Sequence, residues 1–294
     1  MSKRPSILLT GAGGQLGAEL APALRAQGDV VATERATLDL ADPDAIVAAV
    51  RGVHPALIVN AAAYTAVDLA EKEAATAYAV NARAVGILAE EAKRLGAVLI
   101  HYSTDYVFDG TRNTPYPEDA RANPLNVYGA SKLEGERAIA ATGGHALVLR
   151  TSWVYGASGK NFLVTIRRLA AERDELRIVA DQIGVPNWTG ALAQGTARIV
   201  ASGLSTLAER PGLYHLSSKG AASWYDFACA IVALMPAPRP RVVPIATADY
   251  PLPARRPAYG VLATVRFEET FGFALPDWRE ALAACIAEPA ARAG

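Results

Sequence analysis

The run Tyr128-Gly129-Ala130-Ser131-Lys132 sets a phenol and an ammonium four residues apart, which on a helix puts them on one face, one turn from each other. An ammonium beside a phenol favours the ionised form and makes Tyr128 a proton donor or acceptor usable near neutral pH. Alone, the spacing is also that of an ordinary helix face with a packed ring and a solvated charge. Two other runs change its meaning. Ser103-Thr104-Asp105 brings a hydroxyl and a carboxyl, and Gly11-Ala12-Gly13-Gly14-Gln15-Leu16-Gly17 carries glycines at G-x-x-G-x-x-G spacing. Absent side chains in such a loop permit a tight turn and let backbone N–H groups and a helix N-terminus approach a pyrophosphate. The three runs together describe a hydride-transfer site supplied by a dinucleotide.

These residues need a scaffold, and the chain provides the pattern of one. Apolar runs at Ser6 to Thr10, Val30 to Thr33, Ala56 to Asn60, Val98 to Ser103 and Ala146 to Thr151 are separated by helical segments, the first being Leu16 to Gln27. Strands alternating with helices imply an α/β fold with a doubly wound parallel sheet. Each strand is apolar throughout, as expected of a sheet covered on both faces. Ligands of such sheets sit at the carboxyl edge, where Gly11 to Gly17, Asn60 to Tyr64, Ser103 to Tyr106 and Thr151 to Tyr155 fall. Residues 1–155 therefore read as a dinucleotide-binding Rossmann domain. Residues 156–294 read mainly as a smaller, interleaved substrate lobe, with strands at Arg177 to Asp181 and Leu213 to Ser217 returning to the sheet. Pro236 to Pro244 and Pro251 to Pro257 read as extended loops over a cleft, and the alanine-rich tail after Pro289 as a fraying end.

Composition narrows the function classes. The 294 residues are 51% hydrophobic, enough for a real core, and 29 basic residues balance 29 acidic ones. No net field recruits nucleic acid or a membrane surface. The N-terminal apolar run is too short for a signal peptide or a span, so a reducing cytoplasm is the expected compartment. Cys229 and Cys285 have neither metal-ligand spacing nor a disulfide framework, and His54, His101, His145 and His215 lack ligand spacing and read as structural.

Cofactor choice has two signals. Glu34 ends the second strand where a carboxylate can hold a ribose 2′-hydroxyl, and Arg35 follows where a guanidinium can hold a 2′-phosphate. The expectation is NADPH, with NADH usable. Leu16 belongs to the phosphate loop, Asp39 and Leu40 flank the adenine, and Ala61, Ala62, Ala63 and Tyr64 let the cofactor lie against the backbone.

Longer blocks carry a resemblance. Asn60-Ala-Ala-Ala-Tyr-Thr-Ala-Val-Asp68-Leu-Ala-Glu71, His101-Tyr-Ser-Thr-Asp-Tyr-Val-Phe-Asp-Gly110, Pro124-Leu-Asn-Val-Tyr-Gly-Ala-Ser-Lys132, Arg150-Thr-Ser-Trp-Val-Tyr155, Asn161-Phe162, Asp181-Gln-Ile-Gly-Val-Pro186, Arg256-Pro257 and Pro276-Asp-Trp-Arg279 resemble the extended short-chain dehydrogenase/reductase family, nearly end to end. The resemblance implies hydride transfer to C4 of dTDP-4-dehydro-β-L-rhamnose, giving dTDP-L-rhamnose in a bacterial polysaccharide pathway. In that scheme Tyr128 protonates the oxygen, Lys132 stabilises the tyrosinate and reaches the nicotinamide ribose, and Thr104 polarises the ketone. Asp105 is followed by Tyr106 where related dehydratases carry Glu, which leaves reduction rather than elimination.

Val67 and Tyr106 are pocket walls by the same resemblance, and Asn161 joins the substrate residues. Trp153 packs on sugar or base, or is plain core. Arg255 and Arg256 clamp the diphosphate, or are solvated charge. Asn187-Trp188 and Tyr259-Gly260 depart from the family pattern at the sugar. Some members hold Mg²⁺ at a dimer interface through glutamates in the helix after this loop. Ala191 to Ile199 carries none, so neither a metal nor that dimer is expected, and the protein reads as a monomer or another homodimer. The alternatives are a reductase or epimerase of another nucleotide sugar, and an NADP-binding regulatory subunit without turnover.

Overall fold

The computed structural model describes residues 4–287, so the tail after Pro289 lies outside the described residues. Five strands arise where the apolar runs fall: β1 (Ser6–Thr10), β2 (Asp29–Thr33), β3 (Leu57–Asn60), β4 (Val98–Thr104) and β5 (Ala146–Thr151). The short strand β6 (Val154–Tyr155) follows, then β7 (Glu175–Val179), β8 (Ile183–Gly184), β9 (Asn187–Trp188) and β10 (Gly212–His215). Two more, β11 (Ala222–Ser223) and β12 (Arg241–Ile245), complete the set. The central sheet is parallel, in the order β10-β5-β4-β3-β1-β2.

Period-two geometry explains why these strands are apolar throughout. Ile7 and Leu9 point to one side, where they pack with Leu20 and Leu24 of the helix Gln15–Leu24 and Leu192 of the helix Thr189–Ala201. Leu8 points to the other, among Ile46 and Val50 of the helix Pro43–Val53 and Leu88 of the helix Ala84–Leu95. Both faces are covered, as a doubly wound sheet requires. β2 departs from that expectation: it is the edge strand, and Val31 is 41% exposed.

From Tyr155 onward the chain builds a second core around Phe227, Trp278, Leu282 and Cys285. β10 lies on β5 at the sheet edge, but the strand expected at Arg177 to Asp181 does not join the sheet. It runs as β7 and pairs in parallel with β12, because β10 already occupies the free edge of β5. Hence the proline-dense stretch expected to be an extended loop contains a strand. Pro244 is tolerated there because β12 has a neighbour on one side only.

The strand order reverses between β1 and β3, the chain leaving β1 for β2 on one side and returning to β3 on the other. A crevice opens at the carboxyl ends at such a switch point. The loops after β1, β3, β4 and β5 converge on it.

Candidate active site

A cleft of about 810 Å³ lies along this edge. Its phosphate end is built by Gly11, Gly14, Gln15 and Leu16. Gly11 has φ +76°, and a Cβ on it would lie 2.6 Å from the Ala62 nitrogen, so the two loops touch only because the side chain is missing. Gly17 lies beneath the loop rather than in the cleft, and a Cβ there would come within 2.0 Å of the Gly11 carbonyl oxygen. Gly14 caps the helix Gln15–Leu24 with no side-chain hydrogen bond. The first N–H groups of that ten-residue helix thus remain available to a phosphate, and the cradle fits a dinucleotide.

Glu34, Arg35, Asp39 and Leu40 line the far end. The Glu34 carboxylate lies over Gly13, where an added Cβ would meet Oε2 at 2.9 Å. Both cofactor-selecting groups of the sequence therefore flank one subsite. Ala61, Ala62, Ala63, Tyr64 and Val67 form a wall. Its position is set by Asn81, which lies in a π-helical turn, Ala79–Arg83. Asn81 Oδ1 accepts from the Tyr64 N–H at 2.8 Å, and its Nδ2 donates to Tyr64 O and to Ser131 Oγ, both at 3.0 Å. One side chain thereby ties the cofactor wall to the helix that carries Tyr128.

That helix, Val127–Thr142, is capped by Asn126, whose Oδ1 accepts from the Gly129 N–H at 2.7 Å. A Cβ at Gly129 would lie 2.1 Å from the Tyr106 carbonyl oxygen, so glycine lets the helix start press against the loop after β4. Thr104, Asp105, Tyr106, Tyr128 and Lys132 then meet in the cleft, beside Trp153. The Thr104 hydroxyl lies close enough to the Tyr128 phenol to favour its ionised form, and Tyr106 packs edge-on to the Tyr128 ring. Desolvation pushes Tyr128 up to about 12, against the lowering effect of Thr104 and with a further rise from Asp105.

Lys132 is not what the sequence expects. Its Nζ is 2% exposed as a residue, donates to Tyr102 O at 2.6 Å and lies 3.2 Å from His101 Nε2. Burial lowers Lys132 itself to about 8, against the raising effect of Glu136. Asp105 Oδ1 accepts from Thr104 at 3.2 Å, whereas Oδ2 is buried without a protein partner among the described residues. Burial raises Asp105 to about 7.

Trp153 has φ +42°, rare for a bulky residue, and stacks on Trp224 at 3.5 Å between centroids. The fit needs Gly184, where a Cβ would lie 2.5 Å from the indole. The indole of this backbone-strained residue lines the cleft while one of its faces is covered by Trp224.

Two expected substrate residues have other partners. Arg256 forms a fork on Asp68, with Nη1 to Oδ1 at 3.0 Å and Nη2 to Oδ2 at 2.7 Å, and Nη1 also donates to Ala254 O. It fastens its proline-framed loop to the one-turn helix Val67–Ala70 that follows β3; Arg255 is exposed. Asn161 caps the helix Phe162–Glu172 through Val164 N, and its Nδ2 donates to Gln15 Oε1 at 2.8 Å.

The departures at 187 and 260 also find reasons. Asn187 is fully buried, donates to Ser152 O at 2.8 Å and accepts from Ser218 N at 2.6 Å, a tie between segments. Gly260 leaves room for Asp105 Oδ2, which an added Cβ would meet at 2.5 Å.

Sequence reasoning missed Asn81, His101 and Trp224. The π-helical turn has no pattern in the sequence, and the strand run His101-Tyr102-Ser103 reads only as buried. Among the described residues no cluster of three or more His, Cys, Asp or Glu is placed to hold a metal, and no helix is long and apolar enough to cross a membrane.

Known proteins are similar to this chain along nearly its whole length. The chain is 50% identical over 290 residues to a dTDP-4-dehydrorhamnose reductase of Burkholderia thailandensis, covering 95% of this chain and 97% of that protein. It is 41% identical to the protein of the same name from Escherichia coli K12, covering 93% and 94%. The crystal structure of dTDP-4-dehydrorhamnose reductase from Bacillus anthracis in complex with NADP superposes with a TM-score of 0.91 at 34% identity, over 97% of this chain and 100% of that one. The model of the RmlD substrate binding domain family matches residues 5–290, and the chain belongs to that family.

Proposed function

We propose that this protein reduces the C4 ketone of dTDP-4-dehydro-β-L-rhamnose to dTDP-L-rhamnose with NADPH, NADH being usable. The observation that carries the reading is the meeting of Thr104, Tyr128 and Lys132 at one end of a cleft whose other end is a glycine phosphate cradle. The names of the relatives support the substrate, and the NADP bound to the Bacillus anthracis protein supports the cofactor.

Gly11, Gly14 and the start of the helix Gln15–Leu24 hold the pyrophosphate, and Glu34 with Arg35 receives the adenosine ribose. Bound there, the reduced nicotinamide supplies a hydride to C4. Tyr128 gives its proton to the oxygen that becomes the new hydroxyl, and Thr104 donates to the same oxygen and polarises it. A phenol held near 12 is protonated at neutral pH, as a reductase working as proton donor requires. Trp153 and Tyr106 flank the sugar, and Val67 closes its side. Asp105 lacks a carboxylate neighbour at 106, so the acid/base pair that eliminates water is incomplete. We read the protein as cytoplasmic, acting as a monomer or homodimer without nucleic acid.

The test is NADPH oxidation with dTDP-4-dehydrorhamnose generated in place, followed by absorbance, with NADH in parallel. Turnover to dTDP-L-rhamnose is expected, and Tyr128→Phe should lose roughly 10²-fold or more of it while NADP⁺ affinity changes little. Tight NADPH binding without turnover would instead favour a regulatory subunit.

A further inference from the structure

Lys132 is held from behind by a buried chain of side chains. Thr10 Oγ1 donates to Asn60 Oδ1 at 2.7 Å, and the Ala62 N–H donates to the same oxygen at 3.2 Å. The end of Asn60 that faces His101 Nδ1, 3.0 Å away, is therefore Nδ2. An amide NH₂ only donates, so Nδ1 is the lone pair of the ring, and the neutral imidazole carries its proton on Nε2. Nε2 lies 3.2 Å from Lys132 Nζ. A ring N–H finds an acceptor there only in the lone pair of an uncharged amine; an ammonium would set donor against donor. The rest of the amine agrees, since one hydrogen goes to Tyr102 O at 2.6 Å and the other is left for the cleft.

The charged and titratable groups around Lys132 leave this balance delicate. On its own helix Glu136 favours the ammonium, but both its oxygens are taken by Arg150 of β5, at 2.8 and 2.6 Å. Tyr128 lies one turn back on the same helix, and Asp105 lies beyond Thr104 at the loop after β4. From β4 come only the Tyr102 carbonyl and His101, from β3 only Asn60. His101 is fully buried, and burial above all drives it well below its usual range, so the ring is neutral.

We propose that His101 is a positioning residue that acts through Lys132: its Nε2–H holds the amine in place and lowers its affinity for a proton, so that Lys132 changes charge near working pH instead of remaining a permanent cation. The ammonium that such a lysine forms on taking up a proton is a stronger acid, and so returns that proton more readily to the tyrosinate left when Tyr128 has given up its own, the amine being left uncharged. The use of Lys132 in catalysis rests on the reductase reading, but the titration of Lys132 does not.

Protein labelled with ¹³C at the lysine ε-carbon, free of cofactor and sugar, reports that titration directly by NMR. Lys132→Met identifies the resonance among the chain's six lysines. The expected midpoint is about 8 in the unaltered protein. It rises by about one pH unit in His101→Phe, which removes the donor, and stays near its original place in His101→Gln, whose amide still donates. Asn60→Ala, which frees the ring to take the other tautomer, also raises it. An unmoved or lowered midpoint in His101→Phe overturns the proposal, and the same result in Asn60→Ala overturns it if His101→Phe does not fold. Absence of sugar turnover in the unaltered protein, beside a midpoint that shifts in the variants, would count against the reductase reading alone; intact turnover in the unaltered protein beside an unshifted midpoint would count against His101 alone.

Discussion

Asp105 shows how a single side chain can hold opposing demands. It is 2% exposed, one oxygen has no protein partner, and its carboxyl is raised from 3.8 to about 7 by burial, against hydrogen bonds that lower it. In the unfolded chain it ionises near its ordinary value; in the fold it keeps its proton until about 7. Stability contributed by this residue is therefore complete below the unfolded value and is lost as pH rises toward 7. Asp105→Asn, which cannot ionise, is expected to stabilise the cofactor-free protein by up to about 4 kcal/mol at about pH 8 and by little at about pH 4. Urea midpoints at the two pH values measure this, and equal midpoint changes at both would show that the carboxyl is not held protonated. Residue types at this scale were legible: Tyr128, Thr104, Asp105 and the glycines are where their spacing puts them. Their charge states were not, because Lys132 takes its partners from β4 and Asp105 takes its environment from Gly260, more than 150 residues away.

At the scale of elements, strands β1, β3, β4 and β5 were legible because burial on both faces makes the middle of each run apolar, its polar residues, Thr10, Asn60, His101 and Arg150 among them, falling toward the carboxyl end. The same signal failed at Arg177 to Asp181, since an apolar run cannot say which strand will be its neighbour. The helices are fastened by features less visible still. Glu91, 6% exposed on the helix Ala84–Leu95, accepts from Arg51 of the neighbouring helix at 2.8 and 3.0 Å and from Arg94 at 2.7 Å. Arg51 and Arg94 hold its carboxyl at about 2, below its usual 4.5. A depressed carboxyl stabilises the fold above its unfolded value and ceases to do so as pH falls through its folded one, here from about 4.5 to about 2. Because both arginines are about half exposed, solvent screening reduces the contribution to about 1–2 kcal/mol. Glu91→Gln should cost that much near neutral pH, and its stability should fall less steeply than that of the unaltered protein across the acid window. Parallel acid profiles by circular dichroism would refute the assignment.

The whole molecule joins two hydrophobic cores at the cleft, and one contact makes the join at the phosphate loop itself. Gln15, the first residue of the helix proposed above to receive the pyrophosphate, accepts from Asn161 Nδ2 at 2.8 Å and donates to Lys160 O at 3.3 Å. Asn161 in turn caps the first helix of the second core and holds the turn carbonyls of Gly156 and Ser158. Whatever orders the loop after β1 thereby bears on the segment between Trp153 and the helix Phe162–Glu172. Coupling between two ligands is reciprocal, so NADP⁺ should tighten dTDP and dTDP should tighten NADP⁺ by one common factor. Gln15→Ala leaves the backbone N–H groups of the loop and the Asn161 cap intact but removes the link. Each ligand alone should then bind within a few-fold of its affinity for the unaltered protein, while the common factor, typically about 5 to 150 in coupled sites, should fall toward 1. Calorimetric titration of each ligand in the absence and presence of the other closes the cycle. A factor unchanged by Gln15→Ala would show that the coupling does not run through this contact.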